Sequence, residues 1–564
     1  MTYLFNEDKT TYLGFDLSTQ KLKAVQLSSK LEVIATSEVK FDSHLPEFRT
    51  SGGVNFGTRT NEVFVHPIMW VKAVDIVLDH MVMQGSDLST VAAIGGSAQQ
   101  HGSLYWSHHG IHTLKNLDPE KFLHVQLDDS AFTVKRTPIW MDSSTEKQCI
   151  EMETAIGGRT KMVSITGSKC YARFTGPQIR KIYQERPHVY EETKRISLVS
   201  SFLASVFLCD IAPIDYGDAS GMNLFDIKMK NWSAQCLNAC APDLYERLGK
   251  PVPTSTIIGN VGNFFVHRFG FPVDCKVTAF TGDNLSALSG MVVEQDCLVM
   301  SLGTSDTLIM NLKEQVHLEG GHVLCHPTEL NHFMGLLCFR NGSLVRDDFN
   351  KTEANCDWAK FNELLDSTPR GNHGNMALHL RSVEIIPNIK GVLRWNRNNS
   401  RKSKESSKGV QKFLSPQTEV RALIEGQMIH KRAVAEDMGF HFGRNTKIIA
   451  TGGASVNKSI LQVISDVFNA TVFVQNKSEA ALFGAAFRAK YALYLNSFKN
   501  VNGTYYEESL IGKESTRPLS YRDYIIQYIP HHLQLLCEPS KDCDQIYSPM
   551  LERYRDMSIV LAKV

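Results

Sequence analysis

Two pairs of short segments recur in the same order along the chain, and nothing else in it constrains the fold as strongly. Tyr12-Leu-Gly-Phe-Asp-Leu17 has the composition of a strand, Ser18-Thr-Gln20 turns, and Lys23-Ala-Val-Gln-Leu27 returns with alternation, so the pattern is a hairpin. Far downstream, Cys297-Leu-Val-Met-Ser-Leu302 runs into Gly303-Thr-Ser305 and then Thr307-Leu-Ile-Met310. The two turns align, Asp16-Leu-Ser-Thr19 over Ser301-Leu-Gly-Thr304. Each half also holds a short apolar strand that stops at a double glycine: Val91-Ala-Ala-Ile94 before Gly95-Gly96, and Lys447-Ile-Ile-Ala450 before Thr451-Gly-Gly453. Such a repeat points to duplicated α/β halves. Four-residue turns also match by chance, so these residues alone leave duplication open.

Helical spacing of apolar residues over 69–83, 178–185, 420–437 and 459–468 interleaves with the strands, which is the pattern of an α/β fold. A chain of 564 residues makes two large domains or three to four ordinary ones, and 43% hydrophobic residues supply a large core. Sixty Lys and Arg against 59 Asp and Glu give a net charge of +1, so no overall field draws the chain to nucleic acid or to an anionic membrane. The first ten residues lack the apolar run of a signal peptide, and no stretch reads as a membrane span. Twelve cysteines without a C-x-x-C read as reduced thiols of a cytoplasmic protein. The Asn/Ser/Lys/Arg-rich stretch 398–409 reads as an exposed loop.

Four places can carry chemistry. The turns at Ser18, Thr19 and Gln20 and at Gly303 and Thr304 expose backbone N–H groups that suit phosphates, although each is also a plain hairpin turn. Asp16 beside the first turn is the kind of ligand a Mg²⁺ ion takes alongside substrate phosphates. Asp283 and Asn284 follow an apolar strand and Gly282; Asp283 reads either as a helix N-cap or as a base for a substrate hydroxyl. Gln100 and His101 at a strand end can hydrogen-bond a polyhydroxylated ligand, and a lone His is also a common structural donor. Gly452, Gly453 and Ala454, leading to Asn457 and a helix, allow a flat ring or a phosphate to approach the backbone. There is neither a Walker-type nor a protein-kinase glycine loop.

In this order these features resemble the carbohydrate kinases of the FGGY family, within the wider group of actin, hexokinase and heat-shock chaperone ATPases. The resemblance rests on Leu13-Gly-Phe-Asp-Leu-Ser-Thr-Gln20, Ser97-Ala-Gln-Gln-His-Gly102, Ile139-Trp-Met-Asp-Ser143, Arg173-Phe-Thr-Gly-Pro-Gln-Ile179, Gly282-Asp-Asn284, Ser301-Leu-Gly-Thr-Ser305 and Ala450-Thr-Gly-Gly-Ala-Ser-Val-Asn457. Ser18, where many members carry Gly, is similar to the longer xylulose-phosphorylating branch. A Pro-Tyr-Leu-x-Gly-Glu-Arg-like segment of bacterial members is represented only by Ile386-Pro-Asn-Ile-Lys-Gly-Val-Leu-Arg394.

The resemblance implies two ribonuclease-H-like α/β domains with a cleft between them. It implies boundaries at 11–293 for the sugar and Mg²⁺ half and 294–495 for the nucleotide half, with 496–564 as a helical tail. It implies transfer of the ATP γ-phosphoryl to the 5-hydroxyl of D-xylulose, with ribulose, gluconate or glycerol as the alternative acceptors. A non-transferase ATPase of the actin or chaperone type is the more distant alternative. Asp283 would be the catalytic base; Gln100, His101, Arg173 and Asn284 would hold the sugar; Asp16 would organise Mg²⁺. Ser18, Thr19, Gln20, Gly303, Thr304, Trp358, Gly452, Gly453, Ala454 and Asn457 would hold the nucleotide. The expected partners are the sugar and ATP alone, on a monomer or homodimer.

Overall fold

A computed structural model describes residues 9–294, 296–396, 412–443, 445–475, 479–498 and 518–561. The 398–409 stretch lies outside the described residues. The chain divides into two units: Met1–Val293, Val323–His332 and Glu479–Pro530 form the first, and Glu294–His322, Phe333–Ser478 and His531–Val564 form the second.

In the first unit, strand Thr11–Leu17 lies at the centre of a sheet and is buried along its whole length. It pairs antiparallel with Lys21–Ser28, which pairs antiparallel with Val33–Lys40. On its other side it runs parallel to Val91–Ala98, which is parallel to Lys276–Thr278. Burial on both faces explains why the central strand reads as a continuous apolar run. Leu13, Phe15 and Leu17 point into one core with helices Pro67–Met83 and Val199–Leu208. Tyr12 points into a second core with helix Ala480–Asn496. That helix lies in the stretch read as the nucleotide half, yet it packs on the first unit's sheet. Its small residues permit this. A Cβ on Gly95 would sit 2.0 Å from the Ala485 carbonyl, so only glycine lets helix and strand approach so closely. Arg488 locks the contact, donating to the Gly96 carbonyl at 2.7 Å.

The second unit repeats the plan. Strand Cys297–Leu302 pairs antiparallel with Asp306–Leu312, which pairs antiparallel with Phe333–Phe339; on the other side it runs parallel to Lys447–Thr451, itself parallel to Thr471–Gln475. The same order and directions in both units establish the duplication that the turns alone left open. Helices Pro416–Asp437 and Lys458–Phe468 belong to this unit. The 496–564 stretch differs from the helical tail expected. Leu533–Cys537 is a strand that closes the edge of Thr471–Gln475, a five-residue segment whose backbone groups are satisfied by a neighbour rather than by a helix. Helix Cys543–Leu561 then returns onto Pro416–Asp437, where the Tyr547 hydroxyl donates to Glu425 Oε1 at 2.7 Å. Among the described residues no helix is long and apolar enough to cross a membrane.

Candidate active site

Strand register builds the first unit's site. Asp16 lies opposite Ser97, and Ser97 lies opposite Thr281, so three parallel strands end in one row. Ligands of open α/β sheets bind at such carboxyl ends of strands. Asp16 is anchored there by two hydroxyls: Ser18 Oγ donates to Oδ2 at 2.6 Å and Ser97 Oγ to Oδ1 at 3.0 Å. Burial pushes the Asp16 carboxyl above its usual range, against the opposing pull of those two donors.

Two residues beyond Thr281, helix Asp283–Met291 begins. Gly282 occupies the N-cap position with no side-chain cap bond, so Asp283 is the first helical residue and not the cap. Its carboxylate accepts from the Asn284 N–H at 2.8 Å and from Asn284 Nδ2 at 3.2 Å. Asn284 Nδ2 also donates to Gln100 Oε1 at 3.0 Å, which ties all three residues together. Burial, reinforced by the Asp16 charge, pushes Asp283 up to about 7. The Gln100 side chain is buried; among the described residues its Nε2 makes no hydrogen bond of normal length, although its amide acts on the nearby Asp218 carboxylate. A buried donor of this kind calls for a polar ligand.

His101 holds a left-handed backbone with φ of 69°. Its Nδ1 donates to the Gly221 carbonyl at 2.9 Å. The ring stacks on Phe174 at 4.3 Å, and Thr175 Oγ1 donates to the His101 carbonyl at 2.8 Å. Arg173, which precedes Phe174, reaches Trp140: its Nη1 donates to the Trp140 carbonyl at 3.3 Å and its guanidinium lies 5.5 Å from the indole. Trp140 Nε1 in turn donates to Thr19 Oγ1 at 2.9 Å. The structure thus brings Asp16, Ser18 and Thr19 into the same unit as Gln100, His101, Arg173, Asp283 and Asn284, while the Gln20 carbonyl is used by the Phe41 N–H.

Sequence reasoning missed the wall behind these residues. Asp215 accepts from Thr281 Oγ1 at 2.8 Å and Thr254 Oγ1 at 2.5 Å, and Asp218 accepts from Ser200 Oγ at 2.5 Å. Burial, then the neighbouring Asp215 charge, push Asp218 well above the usual carboxylate range. Both aspartates lie in Asp215-Tyr-Gly-Asp-Ala-Ser-Gly221, the segment that also offers His101 its carbonyl. No spacing rule links that segment to Asp283.

The second unit holds a separate recess of about 830 Å³, lined by Gly303, Thr304, Trp358, Gly453, Ala454 and Asn457 among others. Gly452 is not in its lining. With φ of 81°, and with Leu302 O 2.7 Å from where a Cβ would stand, it lets the strand end turn against Leu302. Asn457 caps helix Lys458–Phe468 by accepting from the Ile460 N–H at 3.2 Å, and its Nδ2 donates to Asn362 Oδ1 at 2.8 Å. Trp358 is 38% exposed, an apolar surface left open at the recess. Asn362 and Lys458 also line it. Asn362 is one helical turn beyond Trp358 and Lys458 opens the helix that Asn457 caps, so the periodicity of those two helices was the signal that could have found them.

Known proteins resemble this chain along most of its length. Residues 124–290 match the N-terminal domain, and residues 298–493 the C-terminal domain, of the FGGY family of carbohydrate kinases. The chain is 43% identical over 545 residues to the xylulose kinase of Rattus norvegicus, covering 97% of this chain and 96% of that protein. It is 43% identical over 505 residues to xylulose kinase 2 of Arabidopsis thaliana, covering 88% and 90%. Among solved structures, the xylulose kinase of Rhodospirillum rubrum superposes with a TM-score of 0.75 at 13% identity, over 98% of this chain and 99% of that one. Domain matches through both units and a relative this similar along nearly its whole length place the chain in the FGGY family of carbohydrate kinases.

Proposed function

We propose that this chain transfers the γ-phosphoryl group of ATP to the 5-hydroxyl of D-xylulose. The substrate reading is supported by identity to xylulose kinases along nearly the whole chain. The observation that carries the chemistry is Asp283 itself, a carboxylate held near neutrality beside Asn284 and the buried amide of Gln100. In this reading Asp283 takes the proton as the sugar oxygen attacks phosphorus and the bond to the ADP oxygen breaks. A base poised near the working pH is best matched to that step. Gln100, His101, Arg173 and Asn284 supply donors and acceptors for the sugar hydroxyls.

Thr19, Gly303 and Thr304 offer backbone N–H groups to phosphates; Ser18, whose N–H is taken by the Lys21 carbonyl at 3.0 Å, closes the first of those turns together with Gln20, and Trp358 offers a flat apolar face to the base. Gly453, Ala454 and Asn457 line the recess that would take the adenosine, with Gly452 shaping its edge. Asp16 fits Mg²⁺: a single carboxylate with two hydroxyls fixing its orientation suits an ion that takes one or two protein carboxylates together with substrate phosphates. The ion would neutralise charge on those phosphates.

ADP release measured over D-xylulose, D-ribulose, L-xylulose, glycerol and gluconate tests the substrate. D-Xylulose is expected to lead in kcat/KM by at least about tenfold, the worth of one hydrogen bond left unmade at about 1.4 kcal/mol. Another acceptor ahead by the same margin overturns the substrate and leaves the kinase.

The pH dependence has a definite sign. Asp283 must be ionised to accept a proton, so kcat/KM falls as pH drops through about 7. Asp16→Asn removes the charge that helps raise Asp283. The acid limb should therefore move to lower pH even as turnover slows. A limb that stays in place would separate the two carboxylates electrostatically.

A further inference from the structure

A second recess in the first unit, about 620 Å³, shares no lining residue with the site described above. Among its walls are the tip of the hairpin formed by Asn55–Phe56 and Val63–Val65, and the last turns of helix Thr175–Glu185. Its charges are unevenly used. Glu62 is paired with Lys181 at 2.8 Å and Glu185 with Arg59 at 2.9 Å. Asp142 accepts from the Val63 N–H, the Ser144 N–H and hydroxyl, and Gln178 Nε2. Arg136 and Arg186 also line the recess, and among the described residues neither forms an ion pair with a carboxylate. Arg136 only lies over the Phe64 ring, at 5.1 Å.

The carboxylates are thus committed and two guanidiniums are not. Two such groups on separate segments suit a tetrahedral dianion, whose oxygens accept from several directions, better than a planar carboxylate. The remaining walls are mixed: Phe64, Pro138 and Ile182 are apolar, while Thr58 and the outer oxygens of the paired carboxylates can meet hydroxyl groups. We propose that this recess binds a small polyhydroxylated phosphate ester through Arg136 and Arg186, apart from the phosphoryl-transfer site. The recess is not isolated from that site. Asp142 and Gln178 form its floor, and the segments they fix carry Trp140 and Arg173.

Calorimetric titration of the full chain with ribose 5-phosphate, inorganic phosphate and ribose tests this. Both phosphates should bind saturably and ribose should not. Ribose 5-phosphate should bind equally well to Asp283→Ala, and at least about tenfold more weakly to the double variant Arg136→Ser, Arg186→Ser. Both guanidiniums are exposed, so the fold should survive; the single variants Arg136→Gln and Arg186→Gln serve if the double one does not fold. Failure of both phosphates to bind overturns the proposal. So does binding that persists in the arginine variants, or binding that is lost with Asp283.

Discussion

Asp283→Ala should lower kcat by about 10² to 10⁴, the usual worth of a positioned base, while the protein stays folded. Stability is expected to survive because the residue is not the helix cap. Gly282 holds that position, and the Asp283 carboxylate accepts locally, from the neighbouring Asn284 N–H and side chain. Losing this one acceptor costs about 1 kcal/mol. A cap residue would behave in the opposite way, losing stability and keeping turnover. Asp283→Asn sharpens the contrast, since it preserves shape and hydrogen bonding to Asn284 while removing the basic oxygen. Single-turnover kinetics of both variants, beside their denaturant unfolding, separate the two roles. Near-normal turnover by either folded variant would return Asp283 to a structural part.

The elements that could be read in the sequence were those whose signal is local. The hairpin at Asp16 and its counterpart at Ser301 each combine period-two alternation with a small polar turn, and both form where expected. Helix 420–437 was legible because its apolar face repeats over five turns, and only its first residues, from Pro416, were missed. The roles of Asp16 and Asp283 could not come from spacing, since register between parallel strands brings them together from opposite ends of a domain. It was the order of the motifs, through the family resemblance, that suggested those roles. Asp215 and Asp218 remained hidden for a different reason: their importance lies in what they face, Thr281 and Ser200, and long-range hydrogen bonds leave no mark on composition. Leu533–Cys537 is similar, a strand only because an open sheet edge was available to it.

Asp306→Asn should destabilise the second unit by about 3–5 kcal/mol, the range for breaking a buried ion pair. Asp306 is fully buried and serves two cations. Arg346 clamps it through Nη1 at 2.8 Å and Nη2 at 2.7 Å, and Lys431 Nζ lies at 3.0 Å. Burial opposes the charge, but Lys431 and Arg346 outweigh it and hold the carboxyl below its ordinary value. A depressed carboxyl stabilises the fold above its unfolded pKa and loses that contribution as pH falls through the folded one. Neutralising it by mutation strands two buried cations, whereas Arg346→Met leaves Lys431 still paired, so the aspartate variant should suffer more. Because the chain has two units, a single melting temperature is a poor measure. Hydrogen exchange along strand Asp306–Leu312 and across the Cys297–Leu302 ladder reports the second unit directly. The same change should raise the KM for ATP, because Arg346 Nη2 also donates to Ser343 Oγ at 2.9 Å, and the Ser343 N–H holds the Gly303 carbonyl of the phosphate turn at 2.9 Å. Protection and ATP affinity within about twofold of the parent, less than 0.5 kcal/mol, would mean that the cluster neither supports the unit nor sets the turn.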